Sequence, residues 1–248
     1  FNRGKQFPEL LMNAVNGSIQ SVMLPVLSEQ QDDLERMKQT MRRSIMASSF
    51  LVLPLMAGLA AVARPLVSLL LTDKWLPCVP FLQICCIDFA FYPIHTANLQ
   101  AINAMGRSDV FLKLEIVKKS YGIAILCVTV FCFEGVLPIV WGAVVSTVIS
   151  SFVNAFPNKK LIRYGYWEQL RDILPPIGMS LVMFLAVSAL GRLPLGNLPL
   201  LLVQVAAGVV LYGGMSLLFK PESFRCLVQM AAVLRRKAAG QSKGGTEA

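Results

Sequence analysis

The sequence has few charged residues and almost no histidine. Asp, Glu, Lys and Arg make up 15% of its 248 residues, whereas about a quarter of a typical soluble domain is charged. There is one histidine, and the six cysteines show no CxxC or zinc-like spacing. We find no Walker sequence, no phosphate-cradling glycine loop and no Ser-His-Asp arrangement. These absences argue against an enzyme and predict no metal site.

Apolar residues dominate instead. They account for 55% of the chain, and the mean hydropathy is +0.61. These values are typical of a polytopic membrane protein, so we predict an all-α fold that crosses the bilayer several times. No basic n-region precedes an apolar core, so no signal peptide is predicted. Because the chain starts at Phe1 rather than at a methionine, we expect it to be the C-terminal portion of a longer protein.

Charge-poor runs predict about seven transmembrane helices, since about 20 apolar residues are needed to cross the hydrocarbon. The connection 158–172 is polar and aromatic, which is typical of an interfacial segment. The predicted spans are 7–27, 44–71, 76–104, 111–133, 136–157, 173–190 and 198–219.

The basic residues predict the orientation. Most of the 23 lysines and arginines lie in the connections after the first, third, fifth and seventh spans. The positive-inside rule places these connections and the C-terminus in the cytoplasm, and the N-terminal edge outside. The net charge of +9 is thereby explained by membrane topology, and we expect no nucleic-acid partner.

The third span carries polar side chains through its interior. Asp88, Tyr92 and His95 follow an i, i+4, i+7 spacing, which predicts one shared helix face. Such a face can bind a cation or a proton, or hydrogen-bond sugar hydroxyls, so Asp88 and His95 are ion-coupling candidates. The alternative is that Asp88 is paired with a neighbouring helix and His95 is a packing residue. Tyr92, Asn98 and Asn103 are candidates for lining a substrate cavity.

A second polar stripe lies on the first span. Asn13, Asn16 and Gln20 are spaced for one helix face and suit either a hydrophilic cavity or helix–helix contacts. Arg3 and Lys5 precede them, and a guanidinium or an ammonium there can meet a pyrophosphate. Simple anchoring at the interface is the alternative for both cations.

Three strings, in order, resemble a known family: FPEL…LPVLS in the first span, RPLVSLLLTDKWLP before the third, and AINAMGRSD at its end. Over about 1–160 the chain resembles the polysaccharide flippases of the multidrug/oligosaccharidyl-lipid/polysaccharide (MOP) exporter superfamily, the Wzx-type translocases. Among these it looks most like exporters of lipopolysaccharide, colanic acid or teichuronic acid biosynthesis. Beyond that range only the hydropathy agrees.

The resemblance implies a full-length protein of two helical lobes plus two C-terminal helices, in the bacterial inner membrane. Its activity would be to flip an undecaprenyl-pyrophosphate-linked oligosaccharide by alternating access, with no cofactor, coupled to a Na⁺ or H⁺ gradient. Its partners would be this glycan lipid, membrane lipid, the missing N-terminal lobe and other glycan-assembly proteins. The expected division is 1–160 as a lobe lacking its first helix, 161–219 as an interfacial segment with two additional helices, and 220–248 as a basic, partly disordered tail.

Two other functions remain open. A multidrug or cation antiporter of the same superfamily would share the architecture and an ion-coupling acid. A membrane-bound polysaccharide polymerase or ligase would need a large periplasmic loop with catalytic groups, and no such loop is predicted. The fragment itself, without its partner lobe, is expected to be inactive.

Overall fold

The computed structural model describes residues 2–228, and for residues 2, 3, 16 and 18–22 it describes only the backbone. This part of the chain is built of α-helices joined by short connections, with one 3-10 turn and no strand. The helices are α1 Asn2–Glu29, α2 Leu34–Ala61, α3 Ala63–Leu71, α4 Val79–Ala90, α5 Tyr92–Ala104, α6 Ser108–Cys132, α7 Leu137–Leu161, α8 Tyr166–Leu190 and α9 Asn197–Phe219.

The prediction of an all-α polytopic membrane protein is confirmed. Within the described residues, five helical segments are long and apolar enough to cross a bilayer: Leu34–Ala61, Asp73–Ala104, Leu137–Leu161, Tyr166–Leu190 and Asn197–Phe219. The remaining two predicted spans form the continuous helices α1 and α6, which carry more polar residues. The count of seven spans therefore stays a prediction.

Prolines explain two breaks in the predicted spans. A proline ring clashes with the carbonyl four residues earlier in a helix. Pro65 accordingly sits four residues after Ala61, where α2 ends, and α3 continues the same span. Pro93 likewise follows the junction at Phe91 that separates α4 from α5. The third predicted span is thus two helices rather than one, with the 3-10 turn Asp73–Cys78 leading into it.

The α4–α5 pair is the centre of the packing. Helices α1, α2 and α7 all contact it, α6 packs on α7 and also contacts α5, and α8 packs on α2. Helix α9 contacts α8 and α3. Helix α1 approaches the α4–α5 pair closely at Gly4. A Cβ at Gly4 would stand 3.1 Å from the backbone nitrogen of Leu82 and 3.2 Å from the carbonyl oxygen of Cys78. Helices α1 and α7 therefore flank the same central pair.

The connection 158–172, which the sequence predicts to be interfacial, is mostly helical. Helix α7 runs to Leu161 and α8 begins at Tyr166, so only 162–165 is a true connection. Arg163 adopts φ 55° there, a left-handed conformation that ends the helix sharply. The predicted tail also begins with structure, because residues 222–228 are helical. The expected disorder beyond 228 lies outside the described residues.

Candidate functional site

Asp88 lies where the central pair faces both α1 and α7. The Thr147 hydroxyl on α7 and the Lys5 ammonium on α1 are both close enough to its carboxylate to act on it electrostatically. The second oxygen, Oδ1, is buried and has no hydrogen-bond partner among the described residues. An intramembrane carboxylate with a spare acceptor is suited to receive a donor from a ligand, a proton or a cation.

Tyr92 and His95 continue this polar face along α5. Their rings stand 5.8 Å apart, and both side chains are partly exposed. His95 Nδ1 is 2.9 Å from Asn154 Nδ2 on α7, so the amide donates to the ring when Nδ1 carries no proton. The predicted common face of Asp88, Tyr92 and His95 is therefore preserved across the junction at Phe91, with α7 as its neighbour.

Helix α6 adds an ion pair that the sequence had not predicted. Lys118 pairs with Glu115, and the Lys118 side chain is only 11% exposed. Both charges act on His95. A long cationic side chain near the end of a membrane helix often extends to the lipid headgroups. The structure turns Lys118 into the bundle instead, beside the hydrogen bond of 2.6 Å between Tyr121 and Ser150.

Helix α1 contributes polar side chains near its start. Lys5 is half-buried, whereas Glu9 and Asn13 are exposed and lie one turn apart. Glu9 is close enough to Tyr92 to act on it electrostatically. Exposed polar side chains at membrane depth need water or another partner. The side chains of Arg3, Asn16 and Gln20, which were also candidates, lie outside the described residues.

Asn98 and Asn103 are not brought to this face. Asn98 is fully buried, and its amide exchanges hydrogen bonds of 2.7 and 3.0 Å with Gln169 of α8. Asn158 of α7 donates to its Oδ1 at 2.7 Å. This network joins α5, α7 and α8, so Asn98 contributes to helix–helix packing in this structure. Asn103 is exposed near the end of α5, about 12 Å along the helix from His95.

These polar groups follow the central pair between α1 and α7, and we call them the polar groove: Lys5, Glu9 and Asn13 on α1, Asp88, Tyr92 and His95 on the central pair, and Thr147 and Asn154 on α7. Sequence reasoning missed Thr147 and Asn154. Their spacing of seven residues, which places both on one face of a helix, is the signal that could have found them. Among the described residues no cluster of three or more His, Cys, Asp or Glu side chains could hold a metal ion. The groove offers donors and acceptors for hydroxyl groups, one cation and two carboxylates.

Comparisons with known proteins agree with the resemblance in the sequence. Residues 1–80 match the family model described as polysaccharide biosynthesis protein. An uncharacterized membrane protein in the cps region of Klebsiella pneumoniae is 28% identical over 137 residues, which is 55% of this chain and 27% of that protein. The lipopolysaccharide biosynthesis protein WzxC of Escherichia coli strain K12 is 24% identical over 185 residues, or 74% of this chain and 37% of WzxC.

The fold also has a solved counterpart. The lipid II flippase MurJ in an inward closed conformation superposes with a TM-score of 0.69, over 88% of this chain and 46% of MurJ, at 15% identity. At that identity the likeness concerns the fold alone. The chain spans about a third of the length of the curated relatives it matches. Taken with the matched sequence, these findings confirm the resemblance of this chain to the Wzx-type polysaccharide flippases of the MOP superfamily.

Proposed function

We propose that this chain is one lobe of a transporter that flips a polyprenyl-pyrophosphate-linked oligosaccharide across the bacterial inner membrane. The observation that carries the proposal is the polar groove between α1 and α7, lined by Asp88 and His95 at membrane depth. The names of WzxC and MurJ support the same class of activity. On this proposal the protein carries out no chemical reaction, and the partner lobe is needed to complete the pathway.

The physics of the cargo explains why a groove of this kind is needed. A glycan that crosses hydrocarbon loses its hydration, which costs roughly 2–7 kcal/mol for each polar group left unpaired. Amides, hydroxyls and charged groups along the groove replace those hydrogen bonds. Lys5 provides a cation for the pyrophosphate, and Arg3 on the same turn remains a candidate for a second. The prenyl chain stays in the lipid throughout.

Ion coupling is the second part of the proposal. Asp88 has a buried oxygen without a hydrogen-bond partner in the described part of the chain, and Thr147 and Lys5 approach the same carboxylate. Binding of H⁺ or Na⁺ would neutralise the carboxylate and release Lys5 from its field, which changes the charge that the groove presents to the pyrophosphate. Asp88 and His95 thus remain the ion-coupling candidates.

The test uses the full-length protein in cells that depend on it for surface glycan. We expect Asp88→Asn and Arg3→Ala to reduce glycan display at least about tenfold, the effect of about 1.4 kcal/mol, without lowering the amount of protein in the membrane. Asp109→Asn is the matched control, because Asp109 is exposed at the start of α6 and pairs only with Arg107.

Normal glycan display by Asp88→Asn and Arg3→Ala would refute the assignment of the groove. The alternative of a multidrug antiporter is separated by an efflux assay against a panel of cationic drugs in the same strains. Drug resistance that depends on Asp88, together with unaffected glycan display, would replace the flippase proposal with the antiporter.

A further inference from the structure

The corner between α7 and α8 is held rigidly on its inner side. The carbonyl oxygen of Asn158 accepts hydrogen bonds from the backbone of Ile162 at 2.9 Å and of Tyr164 at 3.3 Å. Tyr164 is fully buried, and its hydroxyl donates to Asp172 at 2.7 Å. Burial and this hydrogen bond raise the pKa of Tyr164, so the hydroxyl keeps its proton. These hydrogen bonds therefore hold in place the backbone that carries the outer side chains of this corner.

The acidic residues of the corner point inward, towards α2. Glu168 pairs with Lys38 at 3.0 Å, and one turn later Asp172 receives two hydrogen bonds of 2.8 Å from Arg42. Both carboxylates on this part of α8 are thus engaged by cations of α2. Neither is directed at the outer surface of the corner.

Four cations occupy the outer surface: Lys159, Lys160, Arg163 and Arg171. All are exposed, and within residues 2–228 none of them forms an ion pair. The stem of Lys159 lies over the turn, because a Cβ at Gly165 would stand 3.7 Å from Lys159 Cγ. The acids and the cations of the corner are therefore separated by face, with Glu168 and Asp172 paired to α2 and the four cations on the other side.

Aromatic rings lie next to these cations. Tyr166 contacts Phe152 of α7 edge-on at 5.5 Å, and the Trp167 ring centroid is 6.1 Å from that of Tyr166. Trp167 is 75% exposed and Phe156 is 60% exposed. At about 100° per residue, Phe152 and Phe156 lie on the side of α7 opposite to Asn154, so this surface faces away from the polar groove.

We propose that this corner binds the headgroup of an anionic membrane phospholipid. The four unpaired cations meet the phosphate, and the aromatic rings of Phe152, Tyr166 and Trp167 lie against the glycerol and the upper acyl chains. Aromatic rings with cations beyond them are the arrangement expected at a lipid–water interface. The pyrophosphate of the cargo is not the occupant, because the surface lies on the outer side of the helix pair. The proposal does not depend on the function of the groove.

The experiment uses Trp167 as its own reporter. In the chain carrying Trp75→Phe and Trp141→Phe, Trp167 is the remaining tryptophan, and its fluorescence is quenched by bromine atoms on a neighbouring acyl chain. We expect brominated phosphatidylglycerol to quench at about a tenfold lower mole fraction than brominated phosphatidylcholine, in nanodiscs at low salt. Each cation near an anionic headgroup contributes up to about a fivefold preference, so a tenfold preference needs at least two of the four cations, and Lys159→Gln, Lys160→Gln and Arg171→Gln together should abolish it.

The matched control removes three exposed cations elsewhere on the chain: Arg43→Gln, Lys113→Gln and Lys119→Gln. These should leave the preference within about twofold, and about 1 M salt should suppress it in the unsubstituted reporter, because the screening length falls to about 3 Å. Equal loss in both triple variants would mean attraction to overall charge only. That result, or equal quenching by the two lipids in the reporter chain, would overturn the site.

Discussion

At the scale of single residues, two asparagines on one helix differ in burial. Asn98 and Asn103 lie on α5, but Asn98 is enclosed by Gln169 and Asn158, whereas Asn103 is exposed. Both asparagines lie in the same polar run, so the sequence alone does not distinguish the buried one from the exposed one. Burial against α7 and α8 decides the difference, and a single sequence does not reveal which helices meet.

The contrast gives a stability prediction. Asn98→Ala leaves Gln169 and Asn158 buried without their partner, and an unsatisfied buried polar group costs about 1–3 kcal/mol. We expect a clear fall in the unfolding temperature of the purified chain in detergent. Asn103→Ala, with no buried partner, should change the free energy of unfolding by less than about 0.5 kcal/mol. Equal effects of the two variants would contradict the buried network.

A second residue-scale prediction concerns Gly142. A Cβ there would stand 2.8 Å from Cγ2 of Thr129, so α6 and α7 touch at a point where only glycine fits. Gly142→Ala should destabilise the chain by about 1–3 kcal/mol through overpacking. Thr129→Ser removes the obstructing methyl group, so the double variant should recover most of the loss. Gly178→Ala, which meets nothing within 4 Å, is the control for the substitution itself.

At the scale of helices, α8 is attached to α2 by charged hydrogen bonds as well as by apolar contacts. Arg42 contacts both oxygens of Asp172 and also Glu222, which follows α9. The same guanidinium thus ties α8 and the segment after α9 to α2. The two additional helices expected from the sequence are therefore bound to the lobe at this end, whatever their separate role.

This attachment can be measured with a double-mutant cycle. The Asp172 side chain is only 12% exposed, and hydrogen bonds to charged groups contribute about 1.5–3 kcal/mol. We expect the coupling energy between Arg42→Ala and Asp172→Ala to lie near the lower end of this range, since Arg42 is 37% exposed. The pair Arg36–Asp33, exposed by 76% and 48%, should couple by less than about 1 kcal/mol. Equal coupling in both pairs would contradict a special link between α2 and α8.

Helix positions followed well from the sequence, whereas helix contacts did not. Apolar runs predicted where α2 and α7 to α9 lie, since crossing a bilayer demands length and few charges. The junction at Phe91 was not predicted as a break, although Pro93 gave a local signal. The inward orientation of Lys118 was not predicted either, because it depends on packing against α5 and α7 rather than on its own helix.

At the scale of the whole molecule, the orientation in the bilayer remains to be tested. Four helices, α1, α5, α7 and α9, lead into the connections that are predicted to lie on one side of the membrane. The exposed cations Lys159, Lys160 and Arg163 lie at the end of α7 or just after it. If all seven predicted spans cross the membrane, the turn at Gly106 and the C-terminus face the cytoplasm, while the turn at Gly196 faces the periplasm. Loss of any one crossing would reverse everything after it.

Reporter fusions distinguish these cases in the full-length protein. Alkaline phosphatase, active only outside the cytoplasm, should be active when fused after Gly196 and inactive when fused after Gly106 or Ala248. A fluorescent protein that matures only in the cytoplasm should give the reverse pattern. The decisive comparison is between Gly106 and Gly135, because α6 lies between them and is the charged helix whose crossing is in question. Opposite signals there require α6 to span the membrane with Glu115 and Lys118 inside it, whereas equal signals would leave that ion pair at the surface and remove it from the groove's surroundings.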